Sequence, residues 1–373
     1  MFIHLDLDAF FINAARTVDK SLKGVPAAVI SGNHVDIFGD FLPAGIVLSA
    51  SYEARKLGIK CTMSANKAQK ICPDIKLVST DFSLYKKLSD ALFKMLYEYT
   101  DEIEKYSIDE YFVDLKGTKH DKNAFALAQS LQKRVKTELD LPCSIGIAAH
   151  KWWAKLATEL AKPEGIKEIK SFDDIANTKI NEFAGVGKAN SEFFKKHGIT
   201  KLADAAKSKD VFIALGKYGI SLYERICGLG GDELRKNEPR KSLAIARTFG
   251  AISDRFEIKR RIKILCNHLF YDLYKHELSP KKLELKLSYF GGSMLTHSFE
   301  IENELSQASL INAIISCFES IDSSPNAKIN YISVGASQFY KSNGLFWQAK
   351  SKKQKALDDA LNKLRDKYNE KII

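Results

Sequence analysis

The chain has 373 residues, 45% of them hydrophobic and 10% aromatic, a globular composition on a length too great for one simple core. The formal net charge is +11, no apolar run is long enough to span a bilayer, and no signal peptide opens the chain. Six widely spaced cysteines without a CxxC pair, and eight histidines without an HExxH, argue against a disulfide framework or a zinc site and for reduced thiols in the cytosol.

Phe2–Leu7 reads as a strand whose exit carries Asp6 and Asp8, and Phe10–Val18 as the helix that follows. Pro26–Ser31 and Ile46–Ser49 read as strands around a glycine-containing loop, Gly32–Gly45, with short helices at Ser51–Leu57 and Ser64–Ile71. Leu84, Leu88, Leu92, Met95 and Tyr99 recur at helical spacing, which predicts a helix over 81–100. Glu102–Tyr106 and Tyr111–Leu115 predict a hairpin. A helix presenting Ala124, Leu127, Leu131 and Val135 comes next, then a strand at Cys143–Ala148. The helix Lys151–Ala161 is stopped by Pro163 and Gly165 before a short strand at Ile166–Ile169. This order describes helices on one face of an antiparallel-rich sheet, a ferredoxin-like core in an α+β chain.

From 170 the pattern shifts to short helices with glycine turns. Gly185-Val186-Gly187-Lys188 reads as a helix–hairpin–helix, whose free N–H groups can hold a DNA phosphate without reading sequence. Residues 237–242 are polar with a proline and read as a linker. Beyond them a βαββαβ unit is predicted over 243–340, and a charged amphipathic helix at Ser351–Asn369. Charge follows the same division: residues 1–165 carry net +1, 166–242 net +4 and 243–373 net +6. Basic outer modules beside a balanced one suit a polyanion gripped by the former and presented to the latter.

Asp109 and Glu110 sit at the hairpin turn, where neighbouring carboxylates can converge; alone, such a pair reads as an exposed acidic turn. If the strand ending at Asp6 lies beside this hairpin, three acids meet. Hard divalent cations take oxygen ligands, and Mg²⁺ is held by one or two carboxylates plus substrate phosphates. Two such ions about 4 Å apart activate a hydroxyl and stabilise a leaving pyrophosphate. The Leu7 carbonyl adds a backbone ligand, Asp8 is expected to face away in support, and Asp114 is expected to be structural. Arg55 and Lys162 offer cations for phosphates and Tyr52 a hydrogen bond, although each taken singly reads as a surface residue. Phe10 and Phe11, taken alone, read as core.

Taken together, FIHLDLDAFF (2–11), SYEARKLGIK (51–60), YSIDEYFVDL (106–115) and SIGIAAHKWWAKLATELAKPEGI (144–166) resemble, in order, the motifs of Y-family DNA polymerases, most closely the DinB branch. The resemblance extends through the Gly185–Gly187 turn and KSLAIARTFG (241–250), and covers essentially the whole chain. It implies a palm at 1–10 and 76–168, fingers at 11–75, a thumb at 169–236, a linker at 237–242, a little finger at 243–340 and a tail helix at 341–373. It further implies low-fidelity, template-directed synthesis past DNA damage, without proofreading. Asp6, Asp109 and Glu110 match the ligands of two Mg²⁺ ions, for which Mn²⁺ can substitute. Phe11 matches an aromatic gate against the 2′-hydroxyl, with Phe10 beside it, while Tyr52, Arg55 and Lys162 match contacts to the dNTP. Gly185, Gly187, Lys188, Arg240, Lys241 and Arg247 are the expected contacts to primer–template DNA. The implied protein is a cytoplasmic monomer, nucleoid-associated if bacterial.

Several positions depart from the pattern. The fingers loop Ile37–Pro43 is unusual, Ala44 stands where arginine is frequent, and Leu48 where a small residue is. His150 and Trp152-Trp153 replace an Asn-Lys-Phe-Leu-like run, and Thr62-Met63-Ser64 replaces Gly-Met-Pro. The sliding-clamp peptide is degenerate in Gly344-Leu345-Phe346, so a clamp is only a weak expectation. Two other readings remain open: an inactive DNA-binding scaffold on the same fold, which should have lost an acid, and a nucleotidyl cyclase, which needs no DNA-gripping modules.

Overall fold

The computed structural model describes residues 1–340 apart from 33, 43–44, 237–238, 293, 302–304 and 325. The chain divides into two units, Met1–His34 with Phe41–Asn237, and Val35–Asp40 with Glu238–Ile373. The expected tail helix and the Gly344–Phe346 peptide lie outside the described residues.

In the first unit a five-stranded sheet runs in the order Ile166–Ile169, Cys143–Ala148, Phe2–Leu7, Glu110–Asp114, Ile103–Lys105. Its pairings are antiparallel except the first, which is parallel. Alternation along the central strand decides what lies on each face. Ile3 and Leu5 point towards helices Phe82–Tyr97 and Ala124–Leu139, which bury Leu92, Met95, Leu131 and Val135 against them. Phe2, His4 and Asp6 point the other way. There the helix Lys151–Ala161 packs against Phe2 and Phe112, and Thr158 hydrogen-bonds the His4 ring at 2.9 Å. The helices therefore occupy both faces rather than the one face expected. A Cβ at Gly146 would stand 2.0 Å from the carbonyl oxygen of Ala154, so glycine is what lets this helix lie so close.

Between the first strand and the helix Phe82–Tyr97, a small three-stranded sheet runs Val47–Ala50, Ala27–Ile30, Lys76–Ser79, over a core of Ala54, Ile59, Ala65 and Ala68. Lys76–Ser79 pairs parallel to Ala27–Ile30, so this sheet runs past the expected boundary at residue 75. At four residues, with an exposed lysine at its start, that strand has too little alternation to be read from sequence.

The helical region that follows closes around Phe194, Phe212, Leu222 and Ile226 and shares its core with Trp152 and Trp153. Trp152 Nε1 donates to the Gly231 carbonyl at 2.7 Å and Trp153 Nε1 to that of Ile226 at 3.0 Å, while His150 Nδ1 lies 2.8 Å from Asp232. The unusual His-Lys-Trp-Trp run is thus the clamp that fixes the end of the helical region to the sheet.

The second unit holds a four-stranded antiparallel sheet in the order Ser242–Ile252, Ile329–Tyr340, Ser279–Tyr289, Met294–Glu300. Helices Arg255–Lys275 and Gln307–Ile321 cover one face of it, burying Leu265, Leu269, Leu310 and Ile314 against Leu283, Leu285 and Val334. This is the predicted βαββαβ order.

Candidate active site

The antiparallel register sets Asp6 directly opposite Glu110, and the Leu7 N–H donates to the Asp109 carbonyl at 3.1 Å. The register therefore brings Asp6 and Glu110 together at the end of the sheet, with the Asp109 backbone beside them. Asp6 is buried at 6% exposure, while Asp109 and Glu110 are half-buried. Burial pushes Asp6 well above the usual carboxylate range; Glu110 adds to this and Lys162 opposes it. Burial raises Asp109 too, against the Ser107 hydroxyl that hydrogen-bonds its carboxylate. Acids that are costly to ionise as they stand gain from a cation.

Two lysines now provide that charge. Lys162 Nζ lies 2.9 Å from Asp6 and 2.8 Å from Glu159, and Lys155 Nζ pairs with Glu110. Burial opposes the charge on Lys162, but Asp6 and Glu159 outweigh it and hold the ammonium above its ordinary range. Oxygen atoms of Asp6, Glu110 and Glu159 lie within 4.8 Å of one another, a hard-donor set that fits a divalent cation. Among the described residues Asp109 is not part of that group; its carboxylate is turned to Ser107. Sequence reasoning missed Glu159 and Lys155. Their signal is the spacing 155, 159, 162 on one face of the helix Lys151–Ala161 and its C-cap, which also reads as a solvated charged face.

Asp8 faces away, as expected. It accepts from the Ser144 hydroxyl at 2.9 Å, the Glu164 N–H at 2.8 Å and, more weakly, the Tyr52 hydroxyl at 3.4 Å. Tyr52 opens a five-residue helix capped by Ser51, whose hydroxyl accepts from the Ala54 N–H at 3.2 Å. Burial and the Asp8 charge push the Tyr52 hydroxyl up to about 12, so it stays protonated as a donor. Arg55 is exposed; its Nε donates to the Ala50 carbonyl at 2.9 Å and its guanidinium lies over the Tyr52 ring at 4.8 Å. It forms no ion pair among the described residues, which leaves its charge free for an anion.

The two phenylalanines divide. Phe10 is 3% exposed in the core, so its ring is not available to a nucleotide, a correction forced by helical spacing, which turns adjacent residues to different faces. Phe11 is half-exposed and stacks on Tyr85 at 4.4 Å, a firmly backed flat ring. Further along the helix Lys151–Ala161 a groove lined by Lys155, Glu159, Asn181 and Glu182 leads towards the Gly185 turn. Gly185 has φ +99°, and Gly187 is the N-cap of the nine-residue helix Lys188–Lys196, with open space where a Cβ would be. In the second unit, Arg240 and Lys241 precede the strand Ser242–Ile252, on which Arg247 lies half-buried.

Two family models match: the impB/mucB/samB family over residues 5–159, and the C-terminal domain of that family over 240–357. The DNA polymerase IV of Lactococcus lactis subsp. cremoris strain MG1363 is 31% identical over 347 residues, which are 90% of this chain and 93% of that protein. The DNA polymerase IV of Bacillus velezensis is 30% identical over 383 residues, 99% of this chain and 91% of that one. Among solved structures, a Y-family DNA polymerase chimera of Dbh and Dpo4 shares the fold, with a TM-score of 0.80 at 22% identity over 91% of this chain and 99% of that one. An insertion ternary complex of Dbh DNA polymerase gives 0.64 at 20% identity, over 91% of this chain and 99% of that one. The chain belongs to the impB/mucB/samB family, the Y-family DNA polymerases, on the branch that holds DNA polymerase IV.

Proposed function

We propose that this translesion polymerase joins the primer 3′-oxygen to the α-phosphorus of a dNTP at Asp6, Asp109 and Glu110, releasing pyrophosphate. The observation that carries the reading is the strand register, which sets Asp6 against Glu110 beside Lys162. Two Mg²⁺ ions, for which Mn²⁺ can substitute, would be held by these carboxylates and the Leu7 carbonyl, and would supply an activated hydroxyl and charge neutralisation at the leaving group.

The chain's own groups do the rest. Lys155 and Lys162 neutralise the carboxylates in the metal-free protein. Lys162, Arg55 and the Tyr52 hydroxyl then take the triphosphate, for which charged and phenolic donors are suited. The Phe11 ring, backed by Tyr85, stands as the wall against a 2′-hydroxyl. Backbone N–H groups at Gly185, Gly187 and Lys188 hold a DNA phosphate at a helix N-terminus, and Arg240, Lys241 and Arg247 add charge along the duplex. In this reading palm, thumb and the fingers apart from Val35–Asp40 make up the first unit, and the little finger lies in the second.

A catalytically inactive scaffold is not supported: the sequence retains all three acids and the relatives are polymerases. The test is primer extension on undamaged and abasic templates with Mg²⁺ and with Mn²⁺. Extension on both templates is expected; none on either, with either metal, overturns the proposal.

A further inference from the structure

Asp8 is the one acid at the exit of the first strand that the reaction above leaves without a task. It is 1% exposed, and it is not part of the hard-donor group of Asp6, Glu110 and Glu159. Among the described residues no lysine, arginine or histidine forms an ion pair with it. Neutral donors from three other parts of the first unit surround its carboxylate instead. The buried Ser144 hydroxyl, on the strand Cys143–Ala148, lies 3.0 Å from Oδ1 and 2.9 Å from Oδ2. The Glu164 N–H, past the end of the helix Lys151–Ala161, donates to Oδ2 at 2.8 Å. The Tyr52 hydroxyl lies 3.4 Å from Oδ1. The backbone of Asp8 is held as well: its N–H donates to the Pro142 carbonyl at 3.0 Å, and its own carbonyl accepts from the Asn13 side chain at 2.6 Å.

Two of these donors belong with the groups assigned to the triphosphate. Tyr52 is one of those groups itself, and at 3.4 Å its contact is weak enough for the hydroxyl to turn its proton to a phosphate oxygen. Lys162 is the C-cap of the helix Lys151–Ala161, two residues before Glu164. Glu164 has a φ of +50°, in the left-handed region that a residue with a Cβ adopts only where its surroundings hold it. A carboxylate accepts on both oxygens and donates nothing, so Asp8 can serve all three donors at once. An amide of the same shape would turn an NH2 towards at least one of them.

We propose that Asp8 is a positioning residue for the incoming nucleotide: it holds the Tyr52 hydroxyl and the turn carrying Lys162 on either side of one fixed carboxylate, and so sets the spacing of two triphosphate donors that lie far apart in the sequence. This role rests on the assignment of Tyr52 and Lys162 to the triphosphate. Groups already held in place lose little freedom when they bind, so loosening Asp8 should weaken nucleotide binding and leave the chemical step alone.

The test is primer extension by full-length Asp8→Asn on an undamaged template, with dNTP concentration varied and rates divided by the active sites counted in the first turnover. KM for the dNTP should rise about tenfold with kcat within about twofold of the parent. The rise should be smaller when Asp8→Asn is added to Tyr52→Phe than when it is made alone. An unchanged KM in Asp8→Asn, a loss confined to kcat or to the number of active sites, or an equal rise in both backgrounds overturns the proposal. Tyr52→Phe and Lys162→Ala check the assignment beneath it. Each alone should raise KM for the dNTP; if neither does, the triphosphate contacts fall, and the role of Asp8 with them. Should Asp8→Asn fail to fold, Ser144→Ala removes one donor and keeps the carboxylate. It should raise the same KM about threefold at unchanged kcat, and an unmoved KM there overturns the proposal too.

Discussion

The helix Lys151–Ala161 and its C-cap carry three lysines paired with carboxylates, and their difference separates architecture from chemistry. At one end Lys151 meets Glu104 at 2.5 Å with side-chain exposures of 2% and 5%. Glu104 also accepts from the Arg235 N–H at 2.8 Å, and Lys151 donates to the Glu233 carbonyl at 3.1 Å. That pair has every partner it needs and no route to exchange them. At the other end Lys162 is 25% exposed, and Lys155 reaches Glu110 at the mouth of a groove. Here a cation can take a lysine's place beside the carboxylates, and a phosphate a carboxylate's place beside Lys162, without unfolding anything. The same chemistry is fixed where it is sealed and exchangeable where it opens.

The comparison breaks most plainly at the open end. Asp109→Ala or Glu110→Ala should lower primer extension by about 10³-fold or more, since a lost metal ligand removes several kcal/mol of transition-state stabilisation. DNA binding should survive in both. Undiminished extension by either variant would remove that residue from the site. At the sealed end, Glu104→Gln leaves Lys151 buried beside a neutral amide and should cost about 3–5 kcal/mol of stability. Thermal unfolding should then move down by on the order of 10 °C. An unmoved Tm would mean that this pair, too, is exchangeable. Metal addition should separate the two ends: Mg²⁺ at a hundredfold excess over its Kd adds about 2.7 kcal/mol to the parent. It should still stabilise Glu104→Gln but not Asp109→Ala/Glu110→Ala.

What could be read in advance depended on how local the signal is. Asp109 and Glu110 are adjacent, Asp6 closes a six-residue apolar strand, and one assumption of neighbouring strands joined them; the register bears it out. Glu159 and Lys155 were invisible because charges at helical spacing look the same whether they face solvent or a sheet edge. Trp152 and Trp153 stand out in the sequence only as a departure from the family's run, since the carbonyls they bind come more than 70 residues later. Phe38 lay in a stretch that reads as loop, and its partners Phe249 and Arg261 follow more than 200 residues on. Contacts of that sequence separation leave no periodicity behind.

Lys162→Ala tests the exchange directly. It removes one charge-assisted contact, about 1.5–3 kcal/mol, so kcat/KM for the dNTP should fall about 10–100-fold with the Tm little changed. Glu159→Gln is the smallest and most discriminating change. Lys162 is shared between Glu159 at 2.8 Å and Asp6 at 2.9 Å, and Glu159 is 43% exposed. An open i, i+3 pair is worth about 0.2–0.5 kcal/mol, so if Glu159 only positions Lys162, kcat/KM should change by about twofold. The Mg²⁺ concentration giving half-maximal rate should then stay where it is. If that concentration rises in Glu159→Gln as it would for a lost ligand, Glu159 belongs with Asp6 and Glu110 as a holder of the metal. The open end of the helix would then contribute a carboxylate to the site as well as two lysines.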